Sequence, residues 1–209
     1  MHHECASRGR YGTCATVSMA TRLTLPAFPI FFATTEGQTR RIAGRFASNL
    51  RIYGLDSAIF DVADLKETDL DWVAVRGVIV GGSVHVGVHQ TDAADFVAVN
   101  VTQLNRRCSM FFSASLAAAS RNPAEVQKAL DIARALPAAH GWKPQWAISL
   151  AGRLAYTQYN FFVRQMMKRI ARKEGAPTDT SRDYEFTDWK RVDALSHEFA
   201  AMAKMRAAA

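Results

Sequence analysis

The segment Ile30–Thr39 combines an apolar strand, a hydroxyl-rich turn and a helix start, an arrangement suited to binding a phosphate group. The turn region contains three threonine hydroxyls, those of Thr34, Thr35 and Thr39. A helix N-terminus favours an anion because its first N–H groups lack intrahelical acceptors and the helix dipole is positive there. Gly37 allows the backbone to approach a ligand closely. We therefore predict that the hydroxyls and the N–H groups of residues 35–39 converge on a phosphate monoester.

The same segment lacks the patterns of two common nucleotide sites. It contains neither the GKS or GKT of a Walker A motif nor the GxGxxG of a dinucleotide site. An ordinary threonine-rich turn between a strand and a helix is the alternative interpretation.

The three cysteines do not form a metal or disulfide framework. Cys5, Cys14 and Cys108 include no CxxC pair and no zinc spacing. An odd number without a framework indicates a reducing compartment. We expect Cys108 to be a small buried residue at the start of a strand.

The composition indicates one globular domain with an excess of positive charge. Of the 209 residues, 49% are hydrophobic and 22% are charged, and the net charge is +7. No apolar run approaches the roughly 20 residues of a membrane-spanning helix. Residues 1–22 show no periodicity, so we expect a flexible N-terminal arm, with Met19 as a candidate natural start, before a domain over residues 23–206.

From Ala27 onward, strand and helix patterns alternate, which predicts a parallel sheet flanked by helices. Five apolar runs are the predicted strands: Ile30–Ala33, Ser57–Val62, Val78–Val80, Met110–Phe112 and Trp146–Ala151. The third is expected to end in a turn at residues 81–83. Asp64–Trp72 is expected to be a polar, acidic connection.

Apolar residues at helical spacing predict four helices between and after these strands. Their expected core faces are Ile42, Ala43, Phe46, Ala47 and Leu50; then Ala93, Phe96, Val97, Asn100, Val101 and Leu104; then Val126, Leu130 and Ala133; and finally Val192, Leu195, Phe199 and Met202. The first helix is expected to end near Gly54. Asn122 is the predicted N-cap of the third helix, and Thr187 that of the last.

A long basic segment, Gly152–Phe186, separates the last predicted strand from the terminal helix. Within it, Arg164, Lys168 and Arg172 lie four residues apart and form one stripe of an amphipathic helix. Such a helix suits an anionic membrane surface or an acidic partner. The alternative is a helix that covers the sheet edge and exposes a solvated charged face. No base-reading module accompanies the charge, so we do not expect nucleic acid as a partner.

Residues 34–39, which we call the phosphate loop, lie in a segment that resembles the flavodoxin signature. After the apolar and aromatic run Ile30–Phe32, its fixed positions are occupied by Thr34, Gly37, Thr39 and Ala43. The resemblance implies an α/β flavodoxin-like fold, a doubly wound five-stranded parallel sheet of order 2-1-3-4-5, here with a long insertion near the last strand. It also implies FMN at the switch point between strands 1 and 3.

The flavodoxin resemblance implies that the loops after strands 1, 3 and 4 bind the cofactor. The expected cofactor-binding residues are Thr34, Thr35, Glu36, Gly37, Gln38, Thr39, Gly82, Ser83, Val84, His85, Val86, Gly87, Ser113, Ala114, Ser115, Leu116 and Ala117. From the second loop, only His85 or His89 could place an aromatic ring over the flavin, so an open flavin face is expected. The flavin would perform the redox chemistry, and no catalytic protein residue is expected.

The basic segment carries a more specific resemblance. Ala151–Tyr156, Tyr159–Lys173, Gly175–Thr180 and Phe186–Trp189 are similar to the flavodoxin-like protoporphyrinogen IX dehydrogenases that use a respiratory quinone. With the phosphate loop, the similarity covers roughly Ile30 to Met202.

This second resemblance implies oxidation of protoporphyrinogen IX to protoporphyrin IX in heme biosynthesis. Electrons would pass through FMN to menaquinone or ubiquinone, with the protein peripheral on the inner, cytoplasmic face of the cell membrane. Arg153, Arg164, Lys168 and Arg172 would attract the porphyrin propionates and the membrane surface. A flavodoxin-like FMN electron carrier and an NAD(P)H:quinone oxidoreductase are the alternatives. The oligomeric state stays open, a homo-oligomer included.

Overall fold

The structure, a computed structural model, describes residues 22–65, 69–85, 87–154, 156–158, 161–173 and 177–208. Their strands are β1 (Arg22–Thr24), β2 (Ile30–Ala33), β3 (Ile59–Asp61), β4 (Asp69–Asp71), β5 (Gly77–His85), β6 (Val88–His89), β7 (Cys108–Ser115), β8 (Trp146–Ala151), β9 (Arg153–Leu154) and β10 (Tyr184–Glu185). Their α-helices are α1 (Gln38–Ile52), α2 (Thr91–Asn105), α3 (Pro123–Ala139), α4 (Phe161–Lys173) and α5 (Trp189–Ala208). The predicted arm lies outside the described residues except for Arg22, which begins a strand.

Five strands form one parallel sheet in the order β3-β2-β5-β7-β8. Numbered along the chain within this sheet, the order is the 2-1-3-4-5 that the flavodoxin resemblance implies. Parallel neighbours need long crossovers, and helices supply them here. β2 and β8 have the predicted bounds, whereas β3 is shorter than the predicted strand Ser57–Val62.

The two central strands, β5 and β7, are longer than their apolar runs predict. They pair without interruption from Gly77 opposite Cys108 to Ser83 opposite Ala114. The predicted turn at residues 81–83 is therefore wrong. Neighbouring strands on both sides of β5 satisfy its backbone hydrogen bonds, and this pairing overrides the weak strand propensity of glycine and serine. Cys108 is buried at the start of β7, as expected.

The predicted polar connection Asp64–Trp72 contains a strand. β4 pairs in parallel with β1, so that Leu70 lies opposite Leu23, and both leucines pack on the main core. A 3-10 helix, Val62–Leu65, precedes this strand. The single leucine of β4 stands between two aspartates, and this acidic context concealed the strand.

Apolar layers cover both faces of the sheet. Phe32 belongs to the layer shared with α1 and α5, whereas its neighbour Phe31 belongs to the layer shared with α2. The apolar residues predicted for the core faces of α1, α2 and α5 lie in these layers. In α3, Val126 is 39% exposed, against prediction, whereas Ala133 is buried as predicted and Ala129 is buried as well.

The helix caps agree with prediction in one case and differ in the other. Asn122 caps α3 by accepting a hydrogen bond from the N–H of Ala124 at 3.0 Å. In α5 the carboxylate of Asp188 accepts from the N–H of Arg191 at 3.0 Å, so Asp188 is the N-cap. The prediction that Thr187 caps this helix is wrong, and its hydroxyl makes long-range hydrogen bonds described below.

Gly81 lets a phenylalanine ring lie directly over the backbone of β5. A Cβ on Gly81 would lie 2.2 Å from Cζ of Phe112. That fully buried ring contacts Phe46 of α1, with ring centroids 5.4 Å apart. The contact therefore helps to set the distance between α1 and the sheet.

We predict that Gly81→Ala lowers the free energy of unfolding by about 1–3 kcal/mol, because the added methyl group overpacks the core against Phe112. Gly44→Ala is the control, since its Cβ meets nothing within 4 Å and alanine favours the helix interior by about 0.5–1 kcal/mol. Urea unfolding measures both. Combining Gly81→Ala with Phe112→Leu should cost less than the sum of the single changes; strict additivity would contradict the proposed clash.

Candidate functional site

The carboxyl ends of β2, β5 and β7 surround a cavity of about 60 Å³. Its lining residues are Thr34, Glu36, Gln38, Ser83, Val84, His85, Ala114, Ser115, Leu116, Gly152, Arg153 and Met167. Ten of these residues belong to the predicted cofactor or substrate sets, and they come from all three predicted loops and the basic segment. The topology therefore brings the predicted residues to one edge of the sheet, as expected for a doubly wound fold.

The phosphate loop has the backbone that a helix-start anion site requires. Gly37 precedes α1 with φ of 78°, a left-handed conformation that glycine adopts without strain. Its N–H donates to Oγ1 of Thr34 at 2.9 Å. The prediction that every N–H from residue 35 to 39 faces the ligand is thus wrong for Gly37, whose N–H closes the turn. Thr39 is fully buried, and its Oγ1 has no hydrogen-bond partner among the described residues.

Gln90 joins two of the predicted loops, a role that the sequence did not reveal. Its Nε2 donates to Oγ1 of Thr35 in the phosphate loop. Its Oε1 accepts from Oγ of Ser83 near the end of β5 at 2.8 Å. Gln90 stands between a short strand and α2, and no local pattern distinguishes it from an ordinary residue before a helix. It holds the phosphate loop against β5.

The residues after Ser83 form a hairpin instead of the predicted loop after the third strand. β6 pairs antiparallel with the end of β5, and Gly87 lies at the hairpin tip with φ of 81°. Val86 lies outside the described residues. Gly82 does not line the cavity, because a Cβ there would face the other side of the sheet, 3.2 Å from the His89 ring.

The two histidines of this hairpin have different surroundings. His85 lines the cavity, and its Nε2 is buried with no hydrogen-bond partner among the described residues. His89 instead packs edge-on against Phe111, and its Nε2 lies 3.0 Å from Oγ of Ser113. Only His85 is therefore placed to contact a ligand in the cavity.

The predicted loop after the fourth strand is mostly strand. Ser113, Ala114 and Ser115 belong to β7, and Ala117 begins a 3-10 helix, Ala117–Ala119. Ser113 is fully buried against His89, so it does not line the cavity, and neither does Ala117. Of the residues predicted for this loop, Ala114, Ser115 and Leu116 line the cavity.

The basic segment reaches the cavity through Arg153 and Met167. Arg153 lies 3.8 Å from the carboxylate of Asp183, and its side chain is 19% exposed. Arg164 does not belong to a free basic stripe, because its Nε donates to the carbonyl of Tyr156 at 3.0 Å. Of the other predicted cations on α4, Lys168 is half-buried and Arg172 is exposed.

A larger cavity of about 580 Å³ lies elsewhere, between α2 and the β4 region. Its walls combine Trp72 and Phe96 with the carboxylates of Asp69, Asp92 and Asp95. Those carboxylates would repel a phosphate, and the cavity includes no predicted site residue. We therefore assign the site to the smaller cavity, where hydroxyl and helix N–H donors lie.

Comparisons with known proteins give the class of the chain. The model of the flavodoxin domain family matches residues 29–181. The crystal structure of oxidised flavodoxin 2 from Bacillus cereus aligns with a TM-score of 0.50 at 15% identity, covering 84% of this chain and 98% of that one. The chain therefore belongs to the flavodoxin family.

Two curated relatives narrow this assignment. Protoporphyrinogen IX dehydrogenase (quinone) of Escherichia coli K12 is 32% identical over 172 residues, 82% of this chain and 93% of the relative. The protein of the same name from Leishmania major is 28% identical over 180 residues, 85% of this chain and 76% of the relative. Within the flavodoxin family, the chain is a member of the quinone-linked protoporphyrinogen IX dehydrogenases, which are oxidoreductases.

The site residues fit a flavin nucleotide. The buried Thr39 hydroxyl and the first N–H groups of α1 would hold its phosphate end, and Nε2 of His85 offers a hydrogen bond to the ring edge. The cavity of about 60 Å³ is smaller than the roughly 300–1,000 Å³ of typical ligand pockets. The cavity itself would therefore hold only part of the nucleotide.

Burial lowers the pKa of His89 from its ordinary value of 6.5 to about 4. Between pH 4 and pH 6.5, His89 is therefore protonated in the unfolded chain but not in the folded chain. We predict that stability is fully present above pH 6.5 and declines as the pH falls toward 4. Urea unfolding at pH 7 and pH 5 should show this loss, and His89→Gln should reduce it, whereas exposed His197→Gln should not. An NMR titration that places the His89 pKa near 6.5 would refute the assignment.

Proposed function

We propose that this protein binds FMN and oxidises protoporphyrinogen IX to protoporphyrin IX, with a membrane quinone as electron acceptor. The observation that carries the proposal is that the phosphate loop and the basic insertion line the same cavity. The phosphate loop supplies Thr34 and Gln38, and the basic insertion, Gly152–Phe186, supplies Arg153 and Met167. Relatives that align with most of this chain are named protoporphyrinogen IX dehydrogenase (quinone), and these names support the proposed substrate and electron acceptor.

FMN fits the proposed cofactor because the loop offers donors for one terminal phosphate. Thr39 Oγ1 is buried at the first turn of α1, where the helix dipole also favours an anion. When bound, FMN would supply the two-electron redox chemistry. The protein would hold the flavin edge through His85 and exclude water with apolar groups such as Leu116 and Met167.

The insertion would select the substrate by charge. Arg153 lies on the cavity wall, 3.8 Å from the carboxylate of Asp183, and its positive charge would attract a substrate carboxylate to this wall. Lys168 and Arg172 extend the positive charge along α4. A porphyrinogen carries two propionates, so this arrangement would place its carboxylates on the insertion and its ring toward the flavin.

The test is an anaerobic assay of the FMN-loaded protein with protoporphyrinogen IX. We expect porphyrin fluorescence to rise at a rate that depends on added quinone. If a chemical reductant reduces the bound FMN but protoporphyrinogen IX yields no porphyrin, the proposed enzyme activity is refuted and an electron carrier is favoured. Bleaching of FMN by NADPH alone would favour an NAD(P)H:quinone oxidoreductase.

We also propose that α4 attracts the surface of an anionic membrane. Among the described residues, no helix is both long enough and apolar enough to cross a bilayer. Arg169 and Arg172 are exposed on α4, and Lys168 is half-buried beside them. Each cation near an anionic surface contributes about 1 kcal/mol of attraction. Contact at the surface would bring the cavity mouth close to a quinone dissolved in the bilayer.

The double variant Lys168→Gln, Arg172→Gln should reduce binding to vesicles that contain phosphatidylglycerol by roughly 10-fold or more. The control, Lys128→Gln with Arg134→Gln, removes the same charge from exposed positions on α3 and should change binding little. Vesicle sedimentation measures binding, and FMN fluorescence confirms that the cofactor stays bound. Equal losses in both double variants would show that net charge alone governs the attraction.

A further inference from the structure

The start of α1 is hydrogen-bonded to the end of the insertion, where the chain leads back into the main fold. This return segment comprises residues 184–187. Nε2 of Gln38 donates to Oε1 of Glu185 and to Oγ1 of Thr187, each at 2.8 Å. Arg41 donates to the other carboxylate oxygen of Glu185 at 2.6 Å and to Oε1 of Gln38 at 3.1 Å. Gln38 is the first residue of α1 and lines the cavity.

The same return segment is also bonded to the opposite cavity wall. Oγ1 of Thr187 donates to the carbonyl of Ala151 at 2.7 Å, and the N–H of Phe186 donates to the carbonyl of Gly152 at 3.1 Å. β10 then pairs with β9, where Glu185 lies opposite Arg153. The return segment therefore bridges the phosphate loop and the strand that carries Arg153.

We propose that Gln38 and Thr187 couple phosphate binding at the loop to the position of the insertion over the flavin site. Gln38 is only 6% exposed and Thr187 only 7%, so water does not replace their hydrogen bond when it breaks. A ligand that fixes the first turn of α1 therefore fixes the return segment and, through β9, the guanidinium of Arg153. Gln38 acts as a positioning residue, with its side-chain amide directed to the insertion instead of to the phosphate.

Coupling of this kind is reciprocal, so an insertion held by Thr187 must also raise the affinity for the cofactor. The inference rests on the proposed function for the identity of the cofactor, FMN. It adds that the buried hydroxyl of Thr187, together with the contacts of Glu185, connects the cofactor and substrate parts of the site.

The chain contains a matched control for Thr187. Ser196 of α5 is fully buried, and its Oγ accepts from Nδ2 of Asn49 at 3.1 Å and donates to the carbonyl of Val192 at 2.8 Å. Like Thr187, it is a buried hydroxyl that accepts from a side-chain amide of α1 and donates to a backbone carbonyl. Asn49 lies about 16 Å along the helix from Gln38, far from the phosphate loop.

The experiment compares Thr187→Val with Ser196→Ala, neither of which changes the charge near the phosphate. We expect Thr187→Val to raise the Kd for FMN about 5-fold or more, the lower end of typical couplings. Ser196→Ala should change it less than about 2-fold, although both variants lose some stability. Thr187→Ser keeps the hydroxyl and should restore the wild-type Kd. Quenching of FMN fluorescence on titration with apoprotein measures each Kd.

Hydrogen exchange supplies a second readout that loss of stability alone would not reproduce. FMN should slow amide exchange in the return segment of the wild type and of Ser196→Ala, and should do so much less in Thr187→Val. An unchanged Kd with undiminished protection in Thr187→Val would overturn the coupling while leaving FMN as the cofactor. If the wild type does not bind FMN, the proposed function itself fails. Should Thr187→Val not fold, Gln38→Met removes the donor instead, with the same outcomes.

Discussion

The contact between the Phe112 ring and the backbone of Gly81 is the constraint on which the site geometry depends. Phe112 occupies the space that a side chain at residue 81 would need, and on its other side it supports Phe46 of α1. The ring thus sets the height of α1 over the sheet. The first turn of that helix, with Thr39, must then lie beside the ends of the central strands.

The insertion depends on the site for its position because its own core is small. Leu154, Tyr156 and Ala171 are its buried apolar residues among those described, and Leu116 of the main fold packs against them. So few buried groups contribute little stability by themselves. The hydrogen bonds from the return segment to α1 and to the end of β8 therefore add to this small core in holding the insertion on the main fold.

Local spacing predicts the strand, turn and helix start of residues 30–39, the bounds of β8 and the buried faces of α1 and α5, because each depends on neighbouring residues. Long-range pairing decided the rest. β5 and β7 extend through Gly82 and Ser113 because strands on either side hold them. The role of Thr187 was mistaken for a helix cap because its partner, Gln38, lies 149 residues away in the chain. No single-sequence pattern reports such a contact.

The proposed phosphate site would rely on neutral donors, although the chain carries a net charge of +7. Residues 34–39 include no cation, and Arg41, two residues further on, is bound to Glu185 and lies over the Trp189 ring. Hydroxyl and backbone N–H groups act at short range, so added salt screens them less than it screens an exposed ion pair. Phosphate binding would then persist at ionic strengths that release the insertion from a membrane. In the proposed function, the phosphate would thus be bound by neutral donors, and the cations of the insertion would act on carboxylates and lipid headgroups.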